Sequence, residues 1–369
     1  MSRTARPSCL TCVPLPTGCA GALVIAGLCV TPVALADTVN VSVYGKLHLS
    51  LDRSDNGGSD LANNLFVANN SSRLGFRGNE ELGDGLKLLW QMESNVNANG
   101  DGNTLFGTSR DTYIGMSGDW GALLAGRLAA ANDWLVGEAD MFGDQVGSSG
   151  NFMAPGGWSA DTGSNFRVNS ALKYTAPRIG GFTLTLSHAM KSSAPIAESS
   201  NGMRLAYANG PLKASLTHWR FADGATTTPS ATALGGAGDL GRWYITGQVV
   251  RFRDEAGNNT TIGIPGQNRT NWTAGGKFKV SAADTLKMQY ARAGAASNQA
   301  ESGANMIAVG YDHALSRRTL VYISYARAAN DGGTAFGYSV YSNGKSNTAG
   351  DPVSGNDPAA LSLGIVHDF

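Results

Sequence analysis

Past residue 29 this 369-residue chain has no cysteine; Cys9, Cys12, Cys19 and Cys29 are the whole supply. Most of the chain therefore forgoes disulfides, thiolate nucleophiles and cysteine-based metal sites. Its stability must come from backbone pairing and burial. Long hydrophobic runs are missing too. Beyond the first 36 residues nothing approaches the ~18 consecutive apolar residues of a membrane helix. Nor does one sign of charge dominate: 28 basic residues balance 28 acidic ones, which excludes the basic surface of a nucleic-acid binder. Apolar residues make up 42%, under the ~45–50% of soluble globular chains. Glycine, by contrast, is abundant at 49 copies, which suits turns and close backbone approaches better than helices.

The first 36 residues read as a secretory signal peptide. Arg3 and Arg6 give a positive start, Gly21 to Val30 an apolar stretch, and Ala34-Leu35-Ala36 a small-x-small cleavage site before Asp37. The apolar run is too short for a membrane anchor and Pro32 breaks it. Cys29 follows Leu28 rather than a small residue at the cleavage point, which argues against lipidation. Export would leave about 333 residues, 37–369, with 26 basic against 28 acidic side chains.

Over those residues the hydrophobic period is two. Val39, Val41, Val43, Leu47, Leu49 and Leu51 alternate with Asn40, Ser42, Tyr44, Lys46, His48, Ser50 and Asp52. Leu86, Leu88, Trp90 and Met92 do the same against Lys87, Gln91 and Glu93. Leu361, Leu363, Ile365 and Phe369 continue the pattern to the last residue, where chain ends are usually polar and frayed. Connection lengths separate a barrel from a sandwich. Short turns such as Leu82-Gly83-Asp84-Gly85 and Gly118-Asp119-Trp120-Gly121 alternate with long polar stretches, among them 54–70, 95–107, 129–166 and 329–356. This is the pattern of an outer-membrane barrel. Strands delimited in this way begin near 39, 71, 86, 109, 121, 167, 181, 201, 211, 229, 242, 269, 285, 304, 319 and 358. The fold class expected is all-β: a transmembrane antiparallel barrel of about sixteen strands, closed by pairing its first strand with its last.

Several segments are similar to the general Gram-negative bacterial porins. They are Val43-Tyr44-Gly45-Lys46; Ser72-Arg73-Leu74-Gly75-Phe76-Arg77-Gly78 with the following Glu81 to Lys87; Gly121 to Arg127; Arg167-Val168-Asn169-Ser170; and the terminal Phe369. The resemblance implies a sixteen-stranded homotrimer, a water-filled channel for passive diffusion of small hydrophilic solutes and ions. Such a channel has short periplasmic turns, long extracellular loops and a third loop, here 129–166, folded into the lumen. It also implies outer-membrane lipid and lipopolysaccharide as surroundings, and barrel-assembly machinery that reads Phe369. By motif the basic side of the constriction is Lys46, Arg73, Arg127 and Arg167, with Arg77 and Lys173 also facing the lumen. Glu138, Asp140 and Asp144 are the acids on the loop, and Trp134, Phe142, Phe152 and Trp158 its candidate anchors. The family's Pro-Glu-Phe-Gly loop motif keeps only Phe142-Gly143, Met141 standing at the Glu position.

Alternation independently puts Lys46, Arg73, Arg77, Arg167 and Lys173 opposite apolar neighbours. A charge on the lipid side would cost ~2–4 kcal/mol at the midplane. Basic residues facing a diminished acidic loop lead us to expect a mild anion preference. Arg317 and Arg318, in a turn, suit lipid headgroups instead.

Other motifs fail on their own chemistry. Asn97-x-Asn99-x-Asp101-Gly102 begins like a calcium loop, but Thr108 stands where the bidentate acid belongs. Gly344-Lys345-Ser346 lacks the earlier glycine of a phosphate loop. His48, His188, His218, His313 and His367 are scattered without metal-ligand spacing, so no metal or cofactor is expected. A solute-specific porin is the near alternative. An outer-membrane barrel enzyme such as a lipase is the distant one, since His313 and His367 share the apolar parity.

Overall fold

A computed structural model of the chain describes residues 40–55, 64–100, 104–129, 131, 136–153, 167–190, 199–221, 230–253, 268–297, 300–332, 338–341 and 355–369. The expected signal peptide, Trp134 and Trp158 lie outside them. The alternating segments become antiparallel strands that close on themselves. They begin with β1 (Asn40–Asp55), β2 (Asn64–Asn69 continuing as Arg73–Gly83), β3 (Leu86–Val96) and β4 (Phe106–Ser109 continuing as Thr112–Gly118). Next come β5 (Gly121–Ala129), β6 (Arg167–Thr175), β7 (Phe182–Ala189) and β8 (Ser200–Asn209). Then follow β9 (Leu212–Phe221), β10 (Ser230–Leu240), β11 (Trp243–Arg253) and β12 (Arg269–Lys279). The circuit ends with β13 (Asp284–Ala293), β14 (Ala304–Ala314), β15 (Thr319–Asn330) and β16 (Ala359–Asp368).

Each strand pairs with its neighbours in sequence, and β16 pairs back onto β1 from Lys46↔Asp368 to Asp55↔Ala359. The result is a closed sixteen-strand antiparallel barrel with no open edge. Two strands are longer than alternation indicated. Asn64–Asn69 falls in the stretch expected to be loop, yet it pairs with the upper half of β1, as Arg73–Gly83 pairs with the lower half. Its core, Leu65-Phe66-Val67-Ala68, is apolar at every position and so shows no period of two. Phe106–Ser109 likewise extends β4 into an expected loop.

Short turns gather at one rim. In the first, Gly83, Asp84 and Gly85 all have positive φ (94°, 49° and 76°), a run that glycines make affordable. The long connections gather at the other rim.

Burial follows parity in reverse of a soluble protein. Leu363 is 51% exposed and Ile365 47%, on the outer face, while Ser362 between them and Leu361 is fully buried. The inner face is covered from within. Met141, Phe142, Val146 and Phe152 of the connection after β5, with Tyr338, Val340 and Tyr341 of the connection after β15, pack on a floor of alanines that includes Ala291, Ala308, Ala326 and Ala360. Small side chains on that wall leave room for two segments to lie against it.

Candidate functional site

The connection between β5 and β6 is described at residues 136–153, with two short helical turns, Val136–Ala139 (α1) and Gly150–Met153 (α2). Inward-facing polar groups of the wall hold its backbone. Gln289 Oε1 accepts from Met141 N at 2.6 Å, Asn271 Nδ2 donates to the Phe152 carbonyl at 2.7 Å, and Tyr244 OH donates to the Glu138 carbonyl at 3.1 Å. Lys287 Nζ, buried in the wall, donates to Gln145 Oε1 at 2.5 Å, pairs with Asp312 at 2.7 Å and lies 4.8 Å from the centre of the Phe142 ring. Above, Gly147 N donates to the Val340 carbonyl at 2.8 Å. The segment thus sits inside the barrel, against β10 to β14.

From there Asp144 reaches toward the opposite side. Its Oδ2 lies 3.5 Å from Lys46 Nζ on β1 and 3.8 Å from Arg73 Nη1 on β2. Asp144, following Gly143, has a left-handed backbone (φ 61°). Beside this contact runs a second charged cluster. Glu93 on β3 is paired with Arg110 and lies 4.0 Å from Arg167, which is itself paired with Asp111; Tyr44 OH donates to Glu93 Oε2 at 2.8 Å. Gly75 makes room for this: a Cβ there would meet the Tyr44 ring at 2.4 Å. Arg77 stacks over the same ring at 4.8 Å. Along this wall Lys46, Arg73, Arg77, Arg110 and Arg167 outnumber Asp144, Glu93 and Asp111.

The acids expected on the segment divide three ways. Asp144 meets the basic wall. Glu138 pairs with Lys213 on β9 at 3.1 Å instead. Asp140 is buried within the segment, accepting from Ser148 Oγ at 2.5 Å and Phe142 N at 2.9 Å, so it shapes the segment rather than lining the opening. Burial raises its pKa above the usual carboxylate range. Arg127 is placed differently from the other cations. It bonds the Ser109 carbonyl at 2.8 Å and Asn169 Oδ1 at 2.6 Å, where a register shift between Gly126 and Leu128 breaks the alternation of β5. Lys173 donates to the Ala129 carbonyl at 2.9 Å. Of the anchors, Phe142 and Phe152 are fully buried. Sequence reasoning missed Glu93, Lys287 and Asp312 as site residues, although Glu93 shares the polar parity of β3 that parity alone could have flagged. Arg110 and Asp111 occupy the break inside β4, where no period could place them. No metal-ligand cluster occurs among the described residues.

Comparison with known proteins gives a consistent likeness. The sequence model described as Gram-negative porin matches residues 20–333. Outer membrane porin protein 32 of Delftia acidovorans is 29% identical over 314 residues, covering 81% of this chain and 85% of that protein. Among solved structures, an anion-selective porin from Comamonas acidovorans superposes with a TM-score of 0.69 at 23% identity, over 90% of this chain and 100% of that one. The trimer form of OmpT from Vibrio cholerae does so at 0.65 and 17% identity, over 90% of this chain and 99% of the other.

Proposed function

This chain belongs to the Gram-negative porin family, and from that premise we propose how its outer-membrane channel, which passes small hydrophilic solutes by passive diffusion, selects what it passes. The constriction is the gap between Asp144 on the inward segment and the basic wall of Lys46 and Arg73, with Arg77, Arg110 and Arg167 beside it. The single observation that carries this reading is Asp144 standing 3.5 Å and 3.8 Å from two cations on the far wall. Opposed charges across a narrow opening create a transverse field, and the surplus of cations sets its net sign. A mild anion preference follows. The relative from Comamonas acidovorans, described as anion-selective, supports it.

The assembly is a homotrimer, a reading supported by the trimeric OmpT neighbour. The barrel stands in lipid and lipopolysaccharide, is inserted by the barrel-assembly machinery, and catalyses nothing.

Reversal potentials across planar bilayers in a KCl gradient test the selectivity. Wild type is expected to favour chloride, and Lys46→Ala/Arg73→Ala to lose most of that preference while still conducting. Clear cation selectivity of the wild type would overturn the reading.

A further inference from the structure

Between the constriction and the short-turn rim, the inward faces of β1 to β4 carry a second group of side chains. Strand pairing sets Ser42 beside Arg77 and Asn40 beside Asn79, and continues to Gln91 and Leu89 on β3 and to Tyr113 and Gly115 on β4. Arg77 follows Arg73 along β2 and stands roughly 13 Å nearer that rim. Asn40, Ser42, Arg77, Asn79, Leu89 and Tyr113 line a cavity of about 210 Å³ there. One liquid water occupies about 30 Å³, so the space suits a small organic molecule better than a lone ion.

Charge selection at the constriction does not explain this wall. Arg77 is exposed and makes no ion pair among the described residues. Its guanidinium lies over the Tyr44 ring, 4.8 Å from the centre, which fixes its plane and leaves the N–H groups at its edge for a ligand. The neighbouring inward acids are committed elsewhere: Glu81 to Lys87 at 2.6 Å, and Glu93 to Arg110. Leu89 is the one apolar side chain on the inward parity of β3, among Lys87, Gln91, Glu93 and Asn95. With Tyr113 it sets an apolar spot in a polar lumen. Asn40, Ser42 and Asn79 surround that spot with amide and hydroxyl groups, and no carboxylate lines the cavity among the described residues.

We propose that this cavity is a subsite for a hydroxylated carboxylate of monosaccharide size, a sugar acid, on the short-turn side of the constriction. Arg77 holds the carboxylate at the edge of its guanidinium. Asn40, Ser42 and Asn79 bond the hydroxyls, and Leu89 with Tyr113 takes the C–H face of the ring. Simpler solutes leave part of the wall unused. An inorganic anion needs Arg77 alone, and a neutral sugar leaves the guanidinium without its anion. An apolar carboxylate would cover two amides and a hydroxyl without pairing them, which costs binding. The inference rests on the channel reading and deepens it, adding a chemical class to a preference otherwise set by charge.

The test uses the full chain purified as its folded oligomer and reads binding by saturation-transfer NMR, with no transport involved. Glucuronate is the probe; glucose, acetate and inorganic phosphate are the comparisons. Wild type is expected to bind glucuronate about tenfold more tightly than any of the three, the worth of one charge-assisted or two neutral hydrogen bonds. Saturation should fall on the ring C–H protons. Arg77→Gln is expected to bind glucuronate only as well as glucose, and Asn40→Ala/Asn79→Ala only as well as acetate. Arg204→Gln removes a cation on β8 that bonds Ser215 Oγ at 3.0 Å, and is expected to bind as wild type does. Equal affinity for acetate or phosphate and glucuronate overturns the proposal, as does wild-type binding in Arg77→Gln or equal loss in Arg204→Gln. The comparison of ligands needs no substitution, so it decides the proposal even where a variant fails to fold. Bilayer conductance of the wild type judges the channel separately. A conducting, chloride-preferring protein that does not distinguish glucuronate from glucose overturns the subsite alone, and one that binds glucuronate without conducting overturns the channel alone.

Discussion

At Lys287 one ammonium group holds together three parts of the molecule: Asp312 on the neighbouring strand, Gln145 on the inward segment, and the face of the Phe142 ring. Such a buried cation adds little net stability by itself, but removing one partner of the pair strands the other in a low-dielectric site. Lys287→Met should therefore cost about 3–5 kcal/mol and free the segment at Gln145. The expected result is a lower unfolding temperature and noisier single-channel currents, and Lys287→Met/Asp312→Leu should recover much of the stability but not the quiet current. Lys287 was readable as inward-facing from its alternation with Leu286 and Met288. That it is a clasp rather than a pore charge was not readable, because Gln145 is 142 positions away and only closure of the barrel brings them together.

Among the elements, the inward segment is where charge and burial conflict. Desolvation pushes the Asp140 pKa up, the nearby Asp144 charge adds in the same direction, and hydrogen bonds from Ser148, Phe142 N and Ser149 N oppose it. A carboxyl whose folded pKa exceeds its unfolded one contributes stability that is fully present below the unfolded pKa and is lost as pH rises through the raised folded one. Amide protection factors over 136–153, with the intrinsic pH dependence of exchange divided out, should accordingly be highest in mild acid and fall above that raised pKa. Asp140→Asn should abolish the dependence: its carbonyl still accepts from Phe142 N, and its amide donates to Ser148 as a protonated carboxyl would. Strand starts were legible to within a few residues wherever polar and apolar side chains alternate, even at Ser230–Leu240 with its three glycines. They were illegible in Asn64–Asn69, where the side chains facing the inner segments are apolar too.

For the barrel as a whole, closure depends on the last residue. Gly45 and Phe369 exchange backbone hydrogen bonds at 3.0 and 3.1 Å, and the Phe369 ring covers Gly45 so closely that a Cβ there would meet it at 2.2 Å. Gly45→Val should displace the ring from the seam and lower the temperature at which the folded band disappears on semi-native gels. Gly247→Ala, whose Cβ would meet only an ordinary contact at 3.5 Å, should leave it unchanged. The sequence by itself determined the class of this protein, its count of strands and which face of each meets lipid, because a period of two is a local property of consecutive side chains. Only the tertiary structure decided which charges meet. Asp144 opposing Lys46 and Arg73, Asp140 turning inward, Glu138 reaching Lys213 and Glu93 joining Arg110 and Arg167 all depend on where a long connection folds back and on which strands become neighbours. Pairings across 98 or 75 positions of chain leave no periodic trace in the residues that make them.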